Sequence, residues 1–429
     1  MKIKNKYIIS TITILSITNL NLRAQTKYNI ESCKEMAIEN NRKIKNSRLD
    51  IDASKQTQKE AFTNYFPSIS ASGVGLLPKD PLMSLNLAGM SLGLLDKGFE
   101  AGITVTQPIF AGGKIVTGNK LADLGTEVSQ YQAKLSENEV LLNTESLYWQ
   151  LVSLYEKEKT LDVIDAQLNT LLKDVELSYQ TGLITNNDVL KLKLKKNEVQ
   201  SNRMNLDNGI NLVKMSMCQL MGLELSISDN FDITVPDIEN TESPIVYYVD
   251  HSTALSERME SKLLDKNVEA TKLQTKMKRG DYLPTVAVGA SYYGENIVDK
   301  WRGNGILFAS VNIPLSGWWG GSHAIKRQKI QEQIALNNKV DTQEQLLLQM
   351  QNVKNELDNA YKQILLAKDG VEQSTENLRL NTNYYKAGTV TLTDVLDAQS
   401  LLQQNRDKYV ESYTDYQKKR IEYLQVTGR

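Results

Sequence analysis

Residues 179–190 read YQTGLITNNDVL and residues 385–396 read YKAGTVTLTDVL. Tyr179-Gln-Thr-Gly182 ahead of Asp188-Val189-Leu190 thus returns as Tyr385-Lys-Ala-Gly388 ahead of Asp394-Val395-Leu396, 206 positions later. The same interval separates Pro108 from Pro314 and Met221-Gly222 from Thr427-Gly428. A fixed offset held over such a stretch marks an internal duplication. Upstream, Phe66-Pro67 answers Leu283-Pro284 at 217 positions, so the first copy carries 11 extra residues, confined to one loop. The boundaries that follow are repeat one over 25–223, a linker over 224–244 and repeat two over 245–429.

Within each copy the hydrophobic period runs helical, alternating, helical. Leu147, Leu154, Leu161, Leu168 and Val175 recur every seven residues, as do Met350, Leu357, Ile364, Val371, Leu378 and Tyr385. After the second glycine, Val395, Leu402, Tyr409, Tyr416 and Tyr423 keep the spacing. Sustained heptads predict coiled-coil packing of long helices. The alternating segments are different. Phe99, Ala101, Ile103 and Val105 share one strand face, opposed by Glu100, Gly102, Thr104 and Thr106. Leu307, Ala309, Val311 and Ile313 form a matching face in the second copy. The predicted strands lie at about 66–77, 99–109, 283–293 and 304–314, each of about ten residues, enough to cross a bilayer when tilted. The fold class is therefore mainly α with a small β part.

The chain opens with MKIKNK, then an apolar run from Tyr7 to Leu22, then Leu22-Arg23-Ala24. This is the layout of a signal peptide over 1–24, with cleavage before Gln25. Beyond it no window offers the roughly 20 apolar residues of a membrane helix, so any bilayer insertion must use β-strands. Four strands cannot close a barrel, because their outer edges would leave backbone groups unpaired in lipid, so insertion implies an oligomer. With 50 basic and 51 acidic residues, net charge gives no argument for a nucleic-acid partner. Cys33 and Cys218 read as two buried thiols or as a disulfide pair, which sequence alone leaves open. Two histidines, His251 and His323, stand without metal-ligand spacing, and no catalytic motif is present, so metal, cofactor and enzyme readings have nothing to build on.

Two copies of a Tyr-x-x-Gly turn leading into Asp-Val-Leu, with a Pro-hydrophobic exit from the second strand towards Gly112-Gly113 and Gly320-Gly321, resemble the TolC family of outer-membrane efflux proteins over essentially the whole mature length. The resemblance implies a homotrimer whose twelve strands form one outer-membrane β-barrel continuous with a periplasmic α-helical tunnel. It implies a passive exit duct in a tripartite efflux or type I secretion system. Its partners would be outer-membrane lipid, a periplasmic adaptor (membrane fusion) protein and an inner-membrane transporter of RND or ABC type. Loops 77–98 and 294–304 would face outside, and Phe110 with Trp318-Trp319 would lie in an interfacial aromatic girdle or a packed collar. The alternative is a soluble periplasmic coiled-coil interaction protein, which would account for the heptads alone.

The candidate site is the helical tip. Gly182 and Gly388 end the incoming helices in left-handed turns, and Thr185 with Asp188 and Thr391 with Asp394 have capping-box spacing. Asp397 needs another reason, because its counterpart is Lys191. By resemblance, Asp394 and Asp397 from three subunits would ring the periplasmic entrance, favouring cations. Tyr385 would bond Asp188 to hold a gate. Where the family's best-known member has an arginine, this chain has Val390.

Overall fold

The computed structural model describes residues 27–80, 84–87, 90–93, 98–238, 241–296 and 301–429; the predicted signal peptide lies outside them. A short strand β1 (Lys27–Tyr28) leads into α1 (Ile30–Asn40) and α2 (Arg42–Thr63), followed by β2 (Ser68–Leu76), β3 (Ser84–Leu87), β4 (Met90–Gly93) and β5 (Gly98–Ala111). Next come α3 (Lys114–Gln180), α4 (Asn186–Leu220), β6 (Asp232–Ile233) and α5 (His251–Glu257). The chain closes with α6 (Met259–Gly280), β7 (Thr285–Asn296), β8 (Trp301–Asn312), α7 (Gly317–Lys386) and α8 (Leu392–Val426). Helices α2 and α6 both have 22 residues, α4 and α8 both 35, and α3 and α7 have 67 and 70. At 1.5 Å per residue, α3 and α7 are rods of about 100 Å.

The heptad positions explain the rods. Leu161, Leu168 and Val175 of α3, Met350, Leu357 and Ile364 of α7, and Val395, Leu402, Tyr416 and Tyr423 of α8 are all buried. Each such aliphatic side chain contributes roughly 1.5–3 kcal/mol. Ion pairs such as Lys157 to Glu411, between α3 and α8, are partly exposed and worth only about 0.2–1 kcal/mol. Burial therefore holds the rods together, and charge decorates them.

Each rod is flanked by a short helix and a longer one. Helices α2 and α4 both pack on α3, while α6 and α8 both pack on α7. The end of α4 meets the start of α2 through Asn41, whose carboxamide oxygen caps the Lys43 and Ile44 amides while its Nδ2 donates to the Leu220 carbonyl at 2.7 Å. Between them Gly222 holds φ +68°, and a Cβ there would lie 2.4 Å from the Asn40 carbonyl oxygen. The equivalent junction uses Arg258, the residue capping α6, which pairs with Glu260 at 2.6 Å and donates to Gln349.

The segment 224–244, expected as the linker between the repeats, contributes residues to the core. Phe231 and Ile233 are almost wholly buried, and β6 pairs in parallel with β1. Tyrosine hydroxyls bind it to α3 and α8: Tyr148 donates to the Thr234 carbonyl, Tyr409 to that of Ile238 and Tyr416 to that of Glu242. Cys33 and Cys218 are free and lie in the same core, where burial pushes the Cys33 thiol up to about 12. Both are therefore held as inert thiols at neutral pH.

The four long strands form one antiparallel sheet in the order β2-β5-β7-β8. Its strands are displaced from the predicted ranges by up to three residues, because backbone pairing carries β7 and β8 on through Glu295, Arg302 and Asn304, where alternation gives no apolar signal. Two further departures concern the loops. The predicted loop 77–98 contains the antiparallel pair β3 and β4, and the described ends of 294–304 are strand. The remainder of both loops lies outside the described residues.

Register sorts the sheet into two faces. Ile69, Val105, Ala290 and Leu307 align across the four strands, as do Ala71, Ile103, Tyr292 and Gly305. The opposite face carries Ser70, Thr104, Ser291 and Ile306, then Val74, Glu100, Glu295 and Arg302. A bulge between Pro108 and Phe110 absorbs one residue. It lets Phe110 align with Val286 on the apolar face, which simple alternation would deny it. The largest aromatics lie over glycines of the neighbouring strand: a Cβ on Gly289 would meet the Phe308 ring at 2.4 Å, and one on Gly294 the Trp301 indole at 2.3 Å.

The glycines at φ > 0 give a clean contrast. Gly222→Ala combines left-handed strain with a backbone collision and is expected to cost about 3 kcal/mol. Gly182→Ala, at φ +78° with nothing within 4 Å of its Cβ, should cost about 1 kcal/mol. Thermal melts followed by helical circular dichroism check this; equal losses would contradict the packed junction.

Candidate functional site

At the end far from the sheet, α3 turns into α4 and α7 into α8. In both turns the glycine, Gly182 or Gly388, is left-handed at φ +78° and +74°. Each closes its helix with a pair of backbone bonds, Gly182 N–H to the Tyr179 carbonyl and Leu183 N–H to that of Ser178, then Gly388 to Tyr385 and Thr389 to Tyr384. This is the Schellman arrangement that the Tyr-x-x-Gly spacing encodes.

The capping boxes differ between the two turns. At α8, Asp394 Oδ2 accepts from the Thr391 amide at 2.7 Å and from the Thr391 hydroxyl at 2.6 Å, and Thr391 Oγ1 accepts from the Asp394 amide at 3.3 Å. These bonds from Thr391 hold the Asp394 carboxyl below its ordinary pKa. At α4, Asp188 accepts only from the Thr185 hydroxyl, at 2.9 Å, and Thr185 makes no side-chain cap.

A small core lies beneath the tip. Leu168 and Val175 of α3, Val189 and Leu192 of α4, and Leu392 and Leu396 of α8 are buried together, with Tyr385 packed against them. Because Leu392 and Leu396 face inward, Thr393, Asp394 and Asp397 fall on the opposite, exposed side of α8. The structure thus brings both predicted ring carboxylates to one solvent-facing surface. Tyr385 occupies the boundary. Burial raises its phenol pKa first, and the nearby Asp188 and Asp174 carboxylates raise it further, but no hydrogen bond joins Tyr385 to Asp188 within the chain. Beside it opens a cavity of 1020 Å³ between the two helix pairs, lined by Val163, Leu171, Leu183, Tyr385, Val390 and Val395. Val390 thus presents an apolar wall here.

Two cross-tip contacts escape sequence reading. Lys191 Nζ donates to Thr393 Oγ1 at 2.9 Å, and Gln399 Nε2 to Gln167 Oε1 at 3.2 Å. Alignment of the copies had singled out Lys191 as the counterpart of Asp397, but nothing local says that α4 and α8 approach each other there. Among the described residues no group of three or more His, Cys, Asp or Glu could hold a metal, and no helix is long and apolar enough to cross a membrane.

A mainly helical protein with two roughly 100 Å rods and a two-faced sheet has the fold of outer-membrane channels. It superposes on VceC from Vibrio cholerae with a TM-score of 0.77 at 15% identity, covering 93% of this chain and 96% of that one. For CmeC from Campylobacter jejuni the TM-score is 0.80 at 14% identity, with 93% and 85% covered. For a membrane protein from Pseudomonas aeruginosa it is 0.79 at 13%, with 93% and 90% covered. No curated protein matches the sequence. Residues 252–429, which hold the second tip motif but not the first, match the family described as Outer membrane efflux protein, and over that stretch the likeness drawn from the tip motifs is borne out.

The unequal caps are separable by experiment. Thr391→Ala removes a full capping box and should cost about 1 kcal/mol, raising amide exchange in the first turn of α8 roughly fivefold. Thr185→Ala should change the first turn of α4 less. Acid acts in the same direction: with the Asp394 pKa depressed, its stabilisation is present above the ordinary carboxylate value and is lost as pH falls through the depressed one. Equal exchange effects at the two turns would contradict this geometry.

Proposed function

We propose that three copies of this chain, each built of two tandem repeats, assemble into a passive exit duct: a twelve-stranded barrel in the outer membrane continuous with a helical tunnel through the periplasm. One observation carries the reading: a four-stranded antiparallel sheet with one apolar face, one largely polar face and no partner strand beyond β2 or β8 among the described residues. In water the apolar face would be an exposed patch containing Leu307 at 86% exposure, Ile69, Val311 and Tyr292. In lipid that face is satisfied, the Ser- and Thr-rich face lines a wet lumen, and neighbouring copies complete the edges.

Aromatic placement supports the same orientation. Phe99 and Trp301 stack at 6.4 Å on the apolar face at one end of the sheet. Phe110 and the exposed Trp319, at 84%, stand at the other end, and Trp318 is fixed by its indole N–H to the Tyr282 carbonyl. These are the positions of two interfacial girdles.

The tunnel mouth is the tip, where Asp394 and Asp397 of three copies form a carboxylate ring that favours cations, and helix packing around Tyr385 acts as an iris-like gate. In the trimer Tyr385 faces Asp188 as a gate contact. A periplasmic adaptor and an inner-membrane transporter of RND or ABC type supply cargo and energy, in a tripartite efflux or type I secretion system. The duct itself performs no chemistry.

Purified full-length protein in a planar bilayer tests the reading. Wild type should conduct and be blocked by magnesium added on the tip side. Asp394→Ala combined with Asp397→Ala should raise the half-blocking concentration roughly tenfold or more. Unchanged block would remove the ring, and an absence of conductance with recovery as a soluble periplasmic monomer would overturn the duct. Tyr385→Phe should raise resting conductance; no change would remove the tyrosine from the gate.

A further inference from the structure

Resting on the duct reading, the geometry points to a further surface: a belt of lysines just below the sheet that docks the protein on anionic phospholipid headgroups of the membrane leaflet on the helical side. The helix segments nearest the sheet, residues 52–63, 114–124, 270–281 and 317–331, hold 11 Lys and Arg against 4 Asp and Glu. The whole chain holds 50 against 51, so positive charge is gathered at this one level and balanced elsewhere.

The belt is written into both copies of the duplication. Lys55 and Lys59 of α2 return as Lys272 and Lys276 of α6, at the 217-residue offset that relates Pro67 to Pro284. Lys120 of α3 returns as Lys326 of α7, at the 206-residue offset that relates the two tip turns. All six are exposed. Among the described residues only Lys55 has an ion pair, with the exposed Asp52 on its own helix at 3.0 Å, a contact that leaves the ammonium largely solvated. At 1.5 Å per residue, each lysine lies within about 15 Å of the sheet end of its helix.

Local packing gives the stripe a side. Helix α6 meets α3 through Lys266 to Glu127 and α7 through Thr275 to Glu332. Lys272 and Lys276, one turn apart, stand on the strip between those two flanks. On α2, Lys55, Lys59 and Phe62 follow the spacing i, i+4, i+7 and share one face. Phe62 is 54% exposed and packs on Tyr65 and Phe66, themselves exposed, at the root of the sheet. Exposed rings above a lysine stripe are the layering of a bilayer interface, with aromatics at the hydrocarbon boundary and ammonium groups at the depth of the phosphates. In a water-filled lumen the aromatic cluster would stay wet, so the stripe belongs on the outer side.

Charge supplies the recognition. Six lysines per copy, repeated around a trimer, set a ring of ammonium groups within about a Debye length, roughly 8 Å, of the headgroups. Lysine at all six positions suits phosphates on a fluid surface, because a point charge on a flexible stem needs no fixed geometry.

The test reconstitutes full-length protein into vesicles of mixed phosphatidylcholine and phosphatidylglycerol, extracts it in mild detergent and measures the ratio of the two lipids retained. Heat-stable oligomer on a mild gel is the folding control. Wild type should enrich phosphatidylglycerol about threefold or more over the vesicle, falling towards no enrichment in high salt. Lys55→Gln, Lys59→Gln, Lys120→Gln, Lys272→Gln, Lys276→Gln and Lys326→Gln combined should abolish the enrichment. The three changes of the second copy alone, a milder variant, should remove about half of it. Lys173→Gln with Lys362→Gln and Lys368→Gln, exposed but far down the rods, should leave it unchanged. No enrichment in wild type, or the same enrichment in both belt variants, overturns the belt and leaves the duct standing. Equal loss in the remote variant overturns it too, since net charge alone would then account for the lipid. An unchanged lipid ratio with altered ion selectivity in a planar bilayer would put the lysines in the lumen and overturn it. Wild type recovered as soluble monomer without lipid would overturn the duct reading on which the belt rests.

Discussion

The outer edges of Ser68–Leu76 and Trp301–Asn312 present backbone N–H and C=O groups that have no strand partner within the described chain. In a hydrocarbon environment each unsatisfied group costs several kcal/mol, which no amount of side-chain apolarity offsets. The sheet's apolar face asks for lipid, and its edges forbid lipid unless another strand covers them. In the proposed duct, closure with further copies meets those two demands together. Everything below the sheet follows from that constraint. Rods rooted in a closed ring of strands must themselves stand in a ring, and their far ends must converge or part as a group.

The helical part is built to transmit that geometry over about 100 Å. Heptad burial at Leu161, Leu168 and Val175 of α3 and Met350, Leu357 and Ile364 of α7 stiffens the rods, while the shorter helices meet in pairs at Asn41 and Arg258 and at the glycines opposite them. The 224–244 segment straps this level from outside through tyrosine hydroxyls. The tip, by contrast, rests on a separate small core and a few polar bonds, such as Lys191 to Thr393 and Gln399 to Gln167. A tightly packed middle and a lightly held tip fit the proposed duct, in which the tip is the end that opens.

Much of this was legible in the sequence because it is local. Heptads such as Leu147 to Val175 gave the rods, Gly182 and Gly388 gave the turns, and Phe99 to Val105 gave a strand with its faces assigned. Asp394 was readable as a cap and proved to be one. The features that escaped depend on contacts far apart in the chain. Phe231 and Ile233 look like linker residues until β1 and the rods close over them. The bulge that turns Phe110 to the apolar face is visible only in the register with β7. Strand ends at Trp301 and Asn296 carry polar or aromatic residues whose pairing no period announces. Lys191 stood out as a mismatch between the copies, yet its partner Thr393 required the folded tip.

The central claim is closure of the sheet by identical neighbours, and the mass of the assembly tests it most directly. Native mass spectrometry of the protein extracted from membranes should give three times the mass of the single chain. A disulfide introduced between an edge residue of 68–76 and one of 301–312 should then link separate copies into a ladder ending at three. A folded monomer of unit mass, or cross-links formed only within one chain, would contradict the account.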